Sequence, residues 1–188
     1  MSEREAARLR LRRGPGLGMI ALRCAPHVPG LGEALGGALG GMRGAALPER
    51  GRIVSANGGA VAWMSPDEWL LLCPRERTAG LLERLSRELA GEHHLLADVS
   101  DARAVFTLSG PGWREALARL GPADVSPAGF GAGMFRRSRL GQVAAAFWIS
   151  GPDELRLFCR SSVAGYMEAL LEGAARGEGP GIFDAPGA

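Results

Sequence analysis

The chain has 188 residues, 46% hydrophobic and 22% charged, a composition that suits one ordinary folded domain or two small subdomains sharing a core. Its formal net charge of +2 points to neither nucleic acid nor an acidic surface as a general partner. All 22 basic residues are arginine, which excludes a Walker-type phosphate lysine, a Schiff-base lysine and a lysine general base. Cys24, Cys73 and Cys159 are too widely spaced for a disulfide framework or a zinc pattern, and reduced thiols in a cytoplasm are the simplest expectation.

Residues 1–17 hold Arg4, Arg8, Arg10, Arg12 and Arg13 with no apolar run behind them, so they read as a flexible basic arm and not as a secretory signal. Such an arm either docks on an acidic or phosphate-bearing partner or is simply solvated. No stretch reaches the roughly 20 apolar residues of a membrane span. Met19 to Cys24 reads as a first strand, ended by Pro26 and Pro29. Leu31, Ala34, Leu35, Ala38 and Leu39 then fall at helical spacing. Arg52 to Ser55 and the turn signal Asn57-Gly58-Gly59 lead into a strand through Trp63. Thr78 is placed to cap a helix with Leu81, Leu82, Leu85 and Leu89 on its buried stripe and Gly91 beyond its end. Leu95 to Val99 supplies a further strand.

The order βαββαβ in residues 18–99 is the ferredoxin-like arrangement, and residues 100–174 repeat it. Ala104 to Leu108 is the strand there, and Pro111 opens a helix with Trp113, Ala116, Leu117 and Leu120 inward. Gly129 to Gly133 reads as a flexible loop. Arg139 runs through Trp148 into a hairpin, and Ser162 is placed to cap a last helix containing Tyr166, Met167, Leu170 and Leu171. Residues 175–188 read as a flexible tail whose apolar pair, Ile182-Phe183, offers a hook for a partner. The fold expected is α+β, two pseudo-symmetric ferredoxin-like βαββα(β) halves. If the chain works within an assembly, an apolar patch is expected on the tail pair or on the hairpins.

The repeat is plainest at Trp63-Met-Ser-Pro-Asp-Glu-Trp-Leu-Leu-Leu-Cys73 and Trp148-Ile-Ser-Gly-Pro-Asp-Glu-Leu-Arg-Leu-Phe-Cys159. With Gly151 taken as a single insertion, Trp63/Trp148, Ser65/Ser150, Pro66/Pro152, Asp67/Asp153, Glu68/Glu154, Leu71/Leu157 and Cys73/Cys159 match. Each copy reads as a β-hairpin turning at Pro-Asp, with its Trp and Cys in equivalent core positions.

Candidate chemistry is sparse. His93 and His94 are adjacent, and on a strand they point to opposite faces and do not share a metal. Cys73 and Cys159 sit at strand ends without a visible histidine partner. The Asp67-Glu68 and Asp153-Glu154 pairs fall in turns. Asp98, Ser100 and Asp101 lie between strands, where capping competes with catalysis. Arg136, Arg137 and Arg139, with Arg103 elsewhere, offer either a phosphate or carboxylate site or a solvated strand edge.

Asp98-Val-Ser100, Leu108-Ser-Gly-Pro-Gly112, Asp124 and Arg139-Leu-Gly-Gln-Val143 together resemble the folate-binding aminomethyltransferase superfamily of the glycine-cleavage T protein. Ser65-Pro-Asp-Glu-Trp-Leu-Leu-Leu72 and Asp98-Val-Ser-Asp-Ala-Arg-Ala104 add a closer resemblance to the gamma-subunit family of heterotetrameric sarcosine oxidases. The resemblance spans about Gly18 to Ala174. It implies the aminomethyltransferase-like folate-binding fold and a place in a complex that oxidises sarcosine to glycine and hydrogen peroxide, passing one carbon to tetrahydrofolate. It further implies that FAD, FMN, NAD and folate sit on alpha and beta subunits, zinc on delta, and that this chain packs against alpha. Aminomethyltransferases carry acidic residues after the segment matching Gly141-Gln-Val143, whereas Ala144, Ala145 and Ala146 stand here. No catalytic, cofactor-binding or metal-binding residue is therefore expected on this chain. The alternatives are a stand-alone tetrahydrofolate-binding protein and the same subunit role in a complex acting on another N-methyl amino acid.

Overall fold

A computed structural model describes residues 9–38 and 47–176. The arm's first eight residues, Leu39 of the expected first helix and the tail pair Ile182-Phe183 lie outside the described residues. The chain divides into two compact units, Gly16–Arg103 and a second formed by Met1–Pro15 with Ala104–Ala188. Strand β1 (Arg10–Arg13) thus opens the chain yet belongs to the second unit.

The first unit runs β2 (Gly18–Cys24), α1 (Leu31–Ala38), β3 (Ile53–Ala56), β4 (Gly59–Ser65), β5 (Glu68–Cys73), α2 (Thr78–Glu88) and β6 (His94–Asp98). Its antiparallel sheet has the order β3-β4-β5-β2-β6, the ferredoxin-like order with β3 added at one edge. Asn57 and Gly58 join β3 to β4 with φ of 48° and 81°, and positive φ at both central residues is what a tight type I′ hairpin requires. Alternation sends Ile20, Leu22, Val61, Trp69 and Leu71 to one face, where Leu31 and Leu35 of α1 and Leu81 and Leu85 of α2 complete the core. Thr78 is not an N-cap, contrary to the sequence expectation. A 3-10 turn over Arg75–Arg77 starts the winding one turn early, and the Thr78 hydroxyl donates to the Arg75 carbonyl at 2.9 Å.

The second unit runs β7 (Arg103–Ser109), α3 (Trp113–Leu120), β8 (Phe135–Leu140), β9 (Val143–Gly151), β10 (Glu154–Arg160) and α4 (Ala164–Ala175). Its sheet order, β1-β7-β10-β9-β8, matches the first unit's strand for strand. The place beside β7 that β6 takes beside β2 is filled by β1, with Arg10 opposite Ser109 and Arg13 opposite Phe106. The sixth strand of this half comes from the start of the chain. That corrects the flexible arm over Arg10–Arg13: Leu9 and Leu11 pack on the core, Gly14 donates its N–H to the Val105 carbonyl at 3.1 Å, and Arg13 reaches Glu168 of α4 at 3.5 Å. Ser162 is likewise no cap, because a 3-10 turn over Ser161–Val163 precedes α4.

The loop from Gly129 to Gly133, expected to be flexible, is pinned. Phe130 is fully buried and meets Trp113 and Phe147 edge-on at 6.3 and 5.4 Å. Arg114 lies 4.2 Å over the Trp113 ring and donates to the carbonyls of Val125 and Phe130, while Arg136 donates to the Gly129 carbonyl at 2.8 Å. Between β8 and β9, Gly141 has φ 56°, and a Cβ there would lie 2.8 Å from the Tyr166 hydroxyl. Leu140-Gly-Gln-Val143 is therefore a tight turn whose positive φ favours glycine, and a side chain there would also press on Tyr166.

Candidate functional site

The paired hairpins are the first place to look for a site, and their registers differ from the sequence match. Trp63 stands opposite Trp69, whereas Trp148 stands opposite Arg156, the counterpart of Leu70. Trp63 thus corresponds to Ile149, which pairs with Leu155, and the two hairpins superimpose without any insertion. Both carry a bulge at the equivalent residue, Met64 or Ser150. A one-residue shift changes faces, so the tryptophans are not equivalent. Trp63 is half-buried beside Trp69, and Trp148 is buried on the face opposite the helices, with Phe135 and Phe158 rings each 6.2 Å away. Cys73 and Cys159 do correspond, and both are buried.

Of the four turn carboxylates, Asp67 and Glu154 are engaged beside their own turns. Asp67 accepts the Ser65 hydroxyl at 2.7 Å and the Arg23 guanidinium at 2.8 Å, which together hold its carboxyl below the usual range. Glu154 accepts the Ser150 hydroxyl at 2.7 Å, and the Asp153 carbonyl accepts the Gly110 N–H at 2.8 Å. The thiols of Cys24 and Cys73 are pushed up by burial, the wrong direction for a nucleophile. His93 is exposed, and the His94 ring nitrogen Nδ1 lies 2.9 Å from the Glu92 carbonyl. Among the described residues no three His, Cys, Asp or Glu side chains cluster as a metal set would require.

Asp98 and Ser100 form the tightest polar group. Asp98 accepts the Ser100 N–H at 2.9 Å and the Ser100 hydroxyl, and these bonds hold its carboxyl down. The Ser100 Oγ in turn accepts the Met19 N–H at 2.9 Å, and both Ser100 and Met19 are buried. This ties the chain leaving β6 to β2. Asp101 pairs with Arg75 at 2.7 Å, outside that network. Asp124 similarly accepts from Ser126 and closes a turn.

The three clustered arginines separate. Arg136 turns to the loop carbonyl, while alternation places Arg137 and Arg139 on the opposite face of β8, with Arg139 opposite Ala144. Ala145 is buried in the helix-side core, whereas Ala144 is exposed on the arginine face. Of the three alanines standing where the resemblance places acidic residues, the exposed one, Ala144, is thus a methyl beside a guanidinium. Those residues do not fit a protonated amine, which needs an acceptor. Sequence reasoning missed the loop-holding role of Arg114, which only the fold brings beside Val125 and Phe130. A shallow groove of about 440 Å³ beside α2, lined by Leu82, Glu83, Ser86, Arg87 and Leu96, holds none of the sequence candidates. The exposed large apolar side chains among the described residues are Leu95 of β6 and Tyr166 of α4, so the expected apolar patch is not on the hairpins. No described helix is long and apolar enough to cross a membrane.

Residues 29–177 match the model of the sarcosine oxidase, gamma subunit family. A sarcosine oxidase subunit gamma from an Arthrobacter species is 34% identical over 122 residues, 64% of this chain. The match spans only 59% of that relative's length. Among solved structures, a chain of the heterotetrameric sarcosine oxidase from Corynebacterium sp. U-96 superimposes with a TM-score of 0.80 at 27% identity, covering 97% of this chain and 89% of that one. The glycine cleavage system aminomethyltransferase T from Bartonella henselae shares the fold, with a TM-score of 0.66 at 18% identity over 92% of this chain and 47% of its own. The family match covers most of the chain, and its doubled ferredoxin-like architecture agrees with it: the protein belongs to the sarcosine oxidase gamma subunit family.

Proposed function

We propose that this chain is a non-catalytic, structural subunit of a heterotetrameric complex that oxidises sarcosine to glycine and hydrogen peroxide and passes the one-carbon unit to tetrahydrofolate. It packs against the large alpha subunit in the cytoplasm, with beta and delta completing the assembly. FAD, FMN, NAD, folate and zinc are held by those other subunits. The observation that carries this reading is that Asp67, Asp98 and Glu154 are engaged locally and Cys24, Cys73 and Cys159 are buried, while Ala144, Ala145 and Ala146 stand where acidic residues are expected. A group that orders its own turn is not available to take a substrate proton.

Purifying a tagged copy from its native host tests this. The expected result is co-purification with a much larger flavin-bearing chain, and no chromophore on this chain once separated. Oxidation of sarcosine by the isolated chain would overturn the proposal. Titration of the isolated chain with tetrahydrofolate is expected to give no calorimetric heat of binding; a saturable heat would favour the stand-alone folate-binding alternative. Substrate turnover by the purified complex, compared across sarcosine and other N-methyl amino acids, identifies the amine.

A further inference from the structure

The second unit's sheet carries a charge arrangement that neither its fold nor the proposed packing explains. Arg137 stands opposite Ala146, which also pairs with Phe158, and Arg139 stands opposite Ala144. The β9–β10 ladder pairs Cys159 with Ala145, and continuing it by one residue brings Arg160, the last residue of β10, next to Ala144 from the other side. Alternation puts Arg137, Arg139, Ala144, Ala146, Phe158 and Arg160 on one face. That face is buried at Ala146 and Phe158, each 2% exposed, and open at Arg139, Ala144 and Arg160. Two exposed guanidinium side chains therefore flank a bare methyl, their strands about 10 Å apart across two strand spacings.

Arginine on an edge strand has an ordinary explanation, protection against pairing with another sheet, and β8 is an edge. Arg160 does not share it, because β10 is the central strand of five. None of the ion pairs among the described residues uses Arg139 or Arg160. Two exposed guanidinium groups on one face attract a carboxylate-bearing partner.

We propose that this strip receives an acidic segment of a partner subunit, with carboxylates chelated by Arg139 and Arg160 over the methyl floor of Ala144. Guanidinium forks match carboxylates in two-point geometry, which a lysine would not reproduce. Arg139, Ala144 and Arg160 are all exposed, so the strip suits a chain carrying several carboxylates better than an enclosed small anion. A nucleic acid would need a broader positive field than a chain of net charge +2 supplies. The inference rests on the reading of this chain as a subunit of a larger assembly.

The test uses the full-length chain and three variants: Arg139→Glu with Arg160→Glu, the same pair changed to Lys, and Glu33→Gln as an exposed control in the first unit. Affinity is measured by biolayer interferometry at 50 and 300 mM salt. The probes are the purified large flavin-bearing subunit, a ten-residue Asp/Glu peptide, inorganic phosphate and a DNA oligonucleotide. The inference predicts roughly tenfold or greater weakening by the double Glu variant for both subunit and peptide, with loss of most of the salt dependence. The Lys pair should weaken binding by a smaller factor, and Glu33→Gln should not change it. Because all the substituted side chains are exposed, melting temperatures should stay together. Equal affinity of wild type and double Glu variant for the subunit overturns the inference while leaving the assembly reading intact. Arginine-dependent binding of the peptide without any binding of the large subunit supports the strip and sinks the assembly reading. Binding to neither, or equal arginine-dependent binding of phosphate or DNA, overturns the acidic-segment assignment.

Discussion

Replacing Ser100 by alanine should destabilise the first unit without touching chemistry. The Ser100 Oγ accepts the Met19 N–H at 2.9 Å, and Ser100 is 3% and Met19 0% exposed, so water cannot readily replace the lost acceptor. A buried N–H left without a partner costs about 1–3 kcal/mol. Asp98 loses the hydroxyl but keeps the Ser100 N–H at 2.9 Å, and its own carboxylate is exposed to solvent, so that side of the network adds little. The expected loss is therefore about 2 kcal/mol, roughly a thirtyfold shift in the folded-to-unfolded ratio. Urea titration followed by tryptophan fluorescence should show a lower midpoint at an unchanged slope, since the surface exposed on unfolding is the same. A midpoint shift equivalent to less than about 0.5 kcal/mol would refute the reasoning. So would full stability combined with lost turnover of the assembled complex, because that pair of results is the mark of a catalytic serine.

Asp98→Asn tests the same network through pH. The Ser100 hydroxyl and N–H hold the Asp98 carboxyl below its usual range, so the folded state favours the charged form. Its contribution is fully present above the unfolded value of about 3.9 and is lost as pH falls through the lower folded value. The variant should lose stability at pH 7 and show a shallower decline below pH about 4, measured as unfolding midpoint against pH; Asp67 and Asp124, shifted the same way, keep some slope. An unchanged acid limb would rule the network out. Arg114→Ala should cost about 2–3 kcal/mol by stranding the Val125 and Phe130 carbonyls and should raise amide exchange across residues 121–134. Arg114→Lys should rescue little, since an ammonium neither forks nor stacks over Trp113. Rescue by lysine would show that charge alone holds the loop.

Much of the fold was legible because hydrophobic period and turn chemistry are local. The Leu31 and Leu81 stripes, the Asn57-Gly58 turn and the Pro-Asp hairpins all appear where periodicity and turn residues place them. What was not legible depends on partners far away in sequence. Leu9-Arg10-Leu11-Arg12 alternates like a strand, but only the vacant edge of β7, some 95 residues later, turns it into one. The glycines from Gly129 to Gly133 look mobile because their anchor, Phe130, is a single apolar residue and its clamp, Arg114, is on a helix. Helix caps failed for a different reason. A 3-10 turn after Pro74 and after Arg160 begins winding before the serine or threonine arrives, leaving Ser162 inside that turn and Thr78 just behind it, with neither at its mouth.

The hairpins show why identical letters are a poor guide to identical places. Pro66-Asp67-Glu68 and Pro152-Asp153-Glu154 correspond because a two-residue turn fixes both its residues and the pair that follows. Two residues upstream that constraint ends, although both strands still bulge at the equivalent residue, Met64 or Ser150. Inserting Gly151 to align the tryptophans trades a true register for a chemical coincidence. In the true register Trp148 lies above the helix-free face with Phe135 and Phe158, and Ile149 takes the place of Trp63. The same logic applies to the segment after Val143. Read as letters, Ala144, Ala145 and Ala146 are three equal losses of an acidic group. Read as a strand, one methyl fills the helix-side core, one is buried on the far face, and only Ala144 meets solvent. The charge beside that one open methyl is Arg139, fixed opposite it by the β8–β9 ladder. A cation repels a protonated amine and attracts a carboxylate, so the sign of the neighbouring charge, more than the absence of an acid, separates this position from an amine-handling site.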